Sequence, residues 1–202
     1  MRHLFFSAVV LVLLLSGVEQ AMSEVLFNDG GVHTISTDLG TLMDVDVFDG
    51  PGSSGTTVNV VPGASFDDLY VYESSMVNVS GGVFDELRSY DSTLVDISGG
   101  NFDLLAAAGS SQIDVTGGNF AEVWAHEASQ WDIYGFNLAL SSPTGGTLTG
   151  TLLDGTTVNV PVSLLHDAVI NLHNIPEPSS LVLLSAGMLG LLVFTRRRRA
   201  CR

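Results

Sequence analysis

The sequence predicts an all-β protein whose central part is a short parallel β-solenoid. Three observations carry this prediction: a short segment recurs in register, apolar and polar residues alternate within each copy, and a Gly-Gly pair follows the alternating run in three copies. Alternation is typical of strands, because successive side chains point to opposite faces. Each copy is eighteen residues long, which is too short for a pair of helices but suits one coil of a solenoid. A sandwich of short antiparallel strands is the alternative.

Each of the four clearest copies begins with a phenylalanine. The copies start at Phe66, Phe84, Phe102 and Phe120, and Phe48 lies one further repeat length upstream in a more diverged segment. Equivalent residues of successive coils lie about 4.8 Å apart. We therefore expect the phenylalanine rings to stack in one corner of a narrow core.

Two strands per copy are predicted to bury one face. The first strand points inward at Val77 and Val79, Val95 and Ile97, Ile113 and Val115, and Trp131 and Ile133; the second does so at Leu69, Leu87, Leu105 and Val123. The hydroxyl side chains of Ser75, Thr93, Ser111 and Ser129 share this inward parity, which argues against an outer hydroxyl array that binds ice. The Gly-Gly pairs are expected at a corner, where a positive φ is cheap only for glycine.

The segments on either side of the repeats are predicted to cap them. We place the ectodomain at 24–174, with the repeats at about 48–136 and a β cap at 137–174. Val25–Val47 contains further strands or a degenerate coil. Asp154-Gly155 lies between two β-rich runs and predicts a hairpin, and residues 169–174 predict a last strand.

The N-terminal residues 1–23 have the pattern of a secretory signal peptide. Arg2 precedes the apolar run Leu4–Leu15, and Ala21-Met22-Ser23 offers small residues at the two positions that a signal peptidase reads. Cleavage is predicted between Ser23 and Glu24. An uncleaved N-terminal anchor is the alternative.

The middle of the chain is strongly acidic. Two of the 22 acidic residues, Glu19 and Glu177, lie in the end segments, which leaves 20 in the middle against one basic residue, Arg88. Such a surface repels nucleic acid and attracts cations. The single cysteine, Cys201, offers no disulfide within the chain.

The C-terminal segment predicts a membrane span with a fixed orientation. Residues 179–195 carry no charge and would extend about 25 Å as a helix. Arg196, Arg197, Arg198 and Arg199 follow, and this basic run places the end of the chain on the cytoplasmic side.

Residues 175–202 resemble the PEP-CTERM sorting signal of Gram-negative bacteria. The matching parts are Ile175-Pro176-Glu177-Pro178-Ser179-Ser180, the apolar run Leu181–Phe194 and the arginines Arg196–Arg199. The resemblance implies recognition by an exosortase, a membrane-embedded enzyme that would cut near Pro176, Glu177 and Pro178 and transfer the protein to a surface or matrix destination. An ordinary stop-transfer anchor is the alternative.

One outward column of the repeats is a candidate cation site. Asn78, Asp96, Asp114 and Asp132 occupy the same position of successive copies and would form a ladder of oxygen ligands, which Ca²⁺ prefers. The alternative is a solvated face that keeps the protein soluble. His126, Trp124, Tyr70, Tyr72 and Tyr90 form a candidate sugar-stacking patch, and incidental surface aromatics without a ligand are the alternative.

The sequence thus predicts an exported, non-enzymatic surface or matrix protein. No nucleophile motif or phosphate-binding loop is present in the sequence, and no cofactor is expected apart from the calcium option. Expected partners are signal peptidase, exosortase, the membrane and an extracellular polysaccharide, with nucleic acid excluded. The expected location is the inner membrane before sorting, then the cell surface or matrix. A small carbohydrate-active or carbohydrate-binding β-helix protein is the alternative.

Overall fold

The computed structural model describes residues 23–52 and 55–175, and this part of the chain is entirely β-structure and connections. No helix long and apolar enough to cross a membrane occurs among these residues. The all-β prediction is confirmed for them. The predicted signal peptide, apart from Ser23, and the predicted membrane segment 179–195 lie outside the described residues.

Thirteen strands in the described ranges form one sheet. The strands are β1 (Ser23–Phe27), β2 (Val32–Ile35), β3 (Met43–Val47), β4 (Thr57–Val60), β5 (Asp68–Val71), β6 (Met76–Val83), β7 (Glu86–Ser89), β8 (Leu94–Ala107), β9 (Gln112–Ala125), β10 (Gln130–Leu140), β11 (Gly145–Leu152), β12 (Thr157–Leu164) and β13 (Val169–Asn174).

The chain alternates between two sides of a solenoid-like sheet. Side 1 contains β1, β3, β5, β7, the second halves of β8 and β9, and β12. Side 2 contains β2, β4, β6, the first halves of β8 and β9, then β10 and β13. All neighbours within a side pair in parallel. We number the seven resulting coils from the N-terminus, so that coil 5 comprises the second half of β8 and the first half of β9.

Successive central coils are displaced by the repeat length that the sequence indicates. Val77 pairs with Val95, and Val95 pairs with Ile113. Earlier coils are longer, since Val45 pairs with Leu69. For this reason Phe48 does not continue the phenylalanine column. Leu39 lies there instead, with its backbone N–H donating to the carbonyl of Ser65 beside Phe66 (2.7 Å).

A single apolar core runs between the two sides. The predicted inward residues of both strands are all at most 1% exposed, and the four predicted hydroxyl side chains are fully buried among them. The phenylalanine rings stack as expected, with centroid distances of 4.9, 5.1 and 5.9 Å along Phe66, Phe84, Phe102 and Phe120. Equivalent residues therefore stabilise one another from coil to coil.

The Gly-Gly corners have two separate requirements, as Gly99 and Gly100 show. Gly100 has a φ of 104°, which favours glycine. Gly99 instead meets the preceding coil, because a Cβ there would lie 2.6 Å from the carbonyl oxygen of Ser80. The first glycine thus permits close approach, and the second permits the turn.

The predicted hairpin is present, but it is an insertion within the last coil. β11 and β12 pair in antiparallel fashion from Gly145–Ser163 to Thr151–Thr157, around the Asp154-Gly155 turn. β12 then returns to side 1, and β13 pairs with β10 in parallel on side 2. The carboxylate of Asp154 accepts from the N–H of Gly118 (2.8 Å), which holds the tip of the hairpin against the Gly117-Gly118 corner.

Candidate functional site

The aspartate ladder has the predicted register. Asn78, Asp96, Asp114 and Asp132 oppose one another directly in successive coils. Amides continue the column at both ends: the Nδ2 of Asn78 donates to the Oδ1 of Asn59 (2.9 Å), and the Nδ2 of Asn171 donates to the Oδ1 of Asp132 (3.2 Å). The ladder is therefore acidic only in its central part.

Burial and the neighbouring carboxylates both act on the aspartate at the centre of the ladder. Partial burial raises the pKa of Asp114, and the carboxylates of Asp96 and Asp132 add to the rise. At one end of the ladder, the Nε2 of His173 lies 2.6 Å from the Oδ1 of Asp132. Within residues 23–52 and 55–175, no three histidine, cysteine, aspartate or glutamate side chains are grouped so as to hold a metal ion. A cation role for the ladder stays a prediction.

A second carboxylate pair lies at the N-terminal end of side 1. Burial raises the pKa of Asp46 to about 6, and the neighbouring carboxylate of Glu24 adds to the rise by hydrogen bonding and repulsion. The folded protein therefore holds this proton more tightly than the unfolded chain, whose aspartate pKa is 3.8.

The pH dependence of stability follows from the raised pKa of Asp46. Between about pH 4 and pH 6 the native state binds more protons at this site than the unfolded state, so stability falls as pH rises. We expect Asp46→Asn to raise the Tm at pH 7 and to flatten the Tm–pH curve between pH 4 and 6. Thermal melts of both proteins across this range check the prediction. Asp103→Asn, at an exposed strand position, is the control, and an equal effect of both substitutions would contradict it.

Carboxylates also form the second corner of the coils, a role that the sequence interpretation missed. Glu73, Asp91 and Glu127 have φ values of 63°, 59° and 57°, and Gly109 occupies the same position with 71°. The three carboxylates accept backbone N–H groups of the preceding coil. The N–H of Asp49 donates to Glu73 (2.8 Å), that of Glu73 to Asp91 (3.2 Å) and that of Gly109 to Glu127 (2.8 Å). The recurring Glu/Asp/Gly–Ser/Ala–Ser/Thr tripeptide was the available signal.

The predicted aromatic patch lies on the outer surface of side 1 but is divided in two. Tyr72 stacks on Tyr90 with ring centroids 5.2 Å apart and planes 9° from parallel. Two coils further on, the rings of Trp124 and His126 are 6.3 Å apart. The intervening coil 5 presents small residues at the corresponding positions, Ala106 and Ala108.

This gap is a depression of about 120 Å³, lined by Arg88, Ser89, Tyr90, Ala106, Ala107, Ala108 and His126. We call it the slot. Arg88 stands at its edge and donates from Nε to the Oε2 of Glu86 (2.6 Å). This hydrogen bond raises the pKa of Arg88 further above its usual range, so the guanidinium keeps its charge. The slot combines an apolar floor, aromatic walls and a polar edge.

The described chain ends where the sorting residues begin. The N–H of Ile175 donates to the carbonyl of Gly135 (2.8 Å), and the side chain of Asn174 pairs with both backbone groups of Leu138 (2.6 and 3.0 Å). The predicted motif Pro176, Glu177 and Pro178 and the arginines Arg196–Arg199 lie outside the described residues. The predicted cleavage bond between Ser23 and Glu24 is at the first residues of β1.

Comparison with protein families finds the PEP-CTERM protein-sorting motif at residues 174–199. No curated protein and no solved structure matches the chain. The chain thus carries, after an all-β part with a solenoid-like sheet, the motif of exported proteins that are anchored at the membrane and sorted by an exosortase.

Proposed function

We propose that this protein is a non-enzymatic β-solenoid that an exosortase transfers to the cell surface or the extracellular matrix. The observation that carries the proposal is the sorting motif at 174–199, which follows directly on the last described strand. In this proposal Pro176, Glu177 and Pro178 are recognised by the exosortase, and the arginines after the apolar run hold the tail in the membrane until transfer.

The shape and charge of the described part support a structural role. Seven coils in parallel register form a rod with a continuous core, and its turns and outer columns carry carboxylates at regular spacing. Arg88, the one arginine of the described residues, is paired with Glu86. A rod with this surface stays soluble by self-repulsion and attracts cations.

A carbohydrate-binding protein is the second candidate, and the slot favours it. Aromatic rings around a small apolar floor are the usual way in which proteins hold a ring with an apolar face. Binding and export are compatible, since a matrix protein can hold the polymer around it.

Cell fractionation and intact mass test the sorting proposal. In the native cell we expect loss of the residues after about 178 and release from the inner membrane, and we expect neither in a strain without the exosortase. Substitution of Pro176, Glu177 and Pro178 by alanine should reproduce the full-length, membrane-bound form. Asp167→Ala, at an exposed turn residue of the described part, should be processed normally. A full-length tail in the membrane of both strains would show a simple anchored protein.

A further inference from the structure

The slot arises from one irregularity in an otherwise regular outer surface. In the register of side 1, Ala106 lies between Arg88 and Trp124. One step further along the strand, Ala108 lies between Tyr90 and His126, since the N–H of Ala108 donates to Ser89 and the N–H of His126 donates to Ala107. Coil 5 therefore forms a floor without long side chains, whereas the coils on both sides carry large ones.

The open face of Tyr90 is turned toward this floor. Tyr72 covers the opposite face of the Tyr90 ring at 5.2 Å, nearly parallel to it. Rings that stack between neighbouring coils lie across the coil axis, so the other face of Tyr90 looks onto Ala108, which is too small to cover it. His126 stands on the far side of Ala108 and contacts Trp124.

The width of the slot is set by the spacing of the coils. Tyr90 and His126 are two coils apart, which corresponds to about 9.6 Å between their backbones. A ring in van der Waals contact on both faces needs about 4 Å on each side, or about 8 Å in all. A pyranose ring fits between the two walls, whereas a direct contact between Tyr90 and His126 does not.

The charge around the slot selects a neutral ligand. The acidic surface of the rod repels polyanions, because 20 carboxylates face a single arginine in the middle of the chain. Arg88 at the edge of the slot is held by Glu86 (Nε to Oε2, 2.6 Å) and opposes a cationic ligand at the same place. Both groups offer donors and acceptors to the hydroxyl groups of a sugar.

We propose that the slot binds a neutral pyranose residue of a glycan, with its ring between Tyr90 and His126 above Ala106 and Ala108. This inference rests on the proposed function and deepens it, because it gives the chemical class of the polymer that the exported rod would hold. Arg88 and Glu86 bond the hydroxyl groups at the rim. The floor residues Ala106 and Ala108 are about 7 Å apart along the strand, so neighbouring sugar residues follow the strand direction.

Intrinsic fluorescence can report the binding, because the two tryptophans differ in position. Trp131 is fully buried in the core, while Trp124 is half-buried beside His126. We would titrate the purified full chain, in a zwitterionic detergent without a sugar headgroup, with neutral tetrasaccharides of glucose, galactose, mannose and N-acetylglucosamine. A saturable change with a Kd of about 1 mM is expected for at least one of them. Saturation-transfer NMR on the same samples detects binding without relying on tryptophan.

Substitutions in the slot separate stacking from general effects. Ala106→Leu fills the floor and Tyr90→Ala removes a wall, and each should weaken binding about tenfold or more. Tyr90→Phe keeps the ring and should stay within about twofold of the original protein. Ala139→Leu, the same replacement at an exposed position of β10, should change nothing, and circular dichroism shows that every variant is folded.

Three results would overturn the sugar site: no response to any of the four tetrasaccharides by either method, a response to tetralysine or to a tetragalacturonate instead, or equal weakening by Ala106→Leu and Ala139→Leu. The sorting proposal is tested separately by fractionation, in which these slot variants should be processed like the original protein. Failure of sugar binding with normal processing would therefore remove the slot and leave the proposed export intact.

Discussion

Truncation of Phe102 to alanine is expected to lower the free energy of unfolding by about 3–5 kcal/mol. Phe102 is 2% exposed and stacks on both sides, on Phe84 at 5.1 Å and on Phe120 at 5.9 Å. The cavity cannot collapse easily, because backbone hydrogen bonds hold the coils above and below at a fixed distance. Denaturant unfolding followed by circular dichroism measures the loss.

The control for Phe102→Ala is Phe136→Ala on β10, where the side chain is only half-buried. We expect that substitution to cost less than half as much, since less apolar area leaves water on folding. Equal losses from Phe102→Ala and Phe136→Ala would show that the phenylalanine column is not a principal source of stability.

Gly135→Ala is expected to be the most damaging replacement of a single hydrogen by a methyl group. Gly135 lies where β10 leaves its pairing with β9 and meets both β11 and β13. A Cβ there would lie 2.2 Å from the carbonyl oxygen of Thr151, a backbone atom that can move only if β11 moves. We expect a loss of about 3 kcal/mol, with faster amide hydrogen exchange in β11 and β12 than in the coils before them.

Gly155→Ala provides the comparison for Gly135→Ala. Gly155 has a φ of 91°, but nothing lies within 4 Å of an added Cβ. This substitution should cost only the strain of the left-handed region, about 1 kcal/mol. A larger loss from Gly155→Ala than from Gly135→Ala would mean that close approach at Gly135 does not limit the packing of the hairpin.

The central coils could be predicted because each repeats the same contacts. Val95 and Ile97 stack on equivalent residues above and below, so the pattern of one coil constrains the next. The N-terminal coils carry no such signal. Parallel pairing requires register within the strands but tolerates extra residues at the corners. The longer step from Val45 to Leu69 therefore leaves the core intact, but the eighteen-residue repeat can no longer be recognised in the sequence.

The aspartate ladder and the slot, which both lie on the outer surface, also differ in how far the repeat predicts them. The register of Asp96 and Asp114 followed from the repeat itself. The slot does not follow from the repeat, because it exists only where Ala106 and Ala108 are smaller than the side chains at the equivalent positions of the neighbouring coils. The carboxylates of Asp91 and Glu127 carry no prediction in the sequence analysis, although the recurring place of an acid beside the turns indicated a local hydrogen bond.

The hydrogen bond from Ile175 to Gly135 ties the sheet to the chain one residue before Pro176. The folded part therefore leaves almost no free chain between the sheet and Pro176. If an exosortase cuts and attaches the chain near Pro178, as we propose, coil 7 is the coil nearest the attachment point, and coil 1 lies about 29 Å from coil 7 along the stack. The slot lies two coils, or about 10 Å, from coil 7, so the number of coils that follow the slot sets its distance from the attached end.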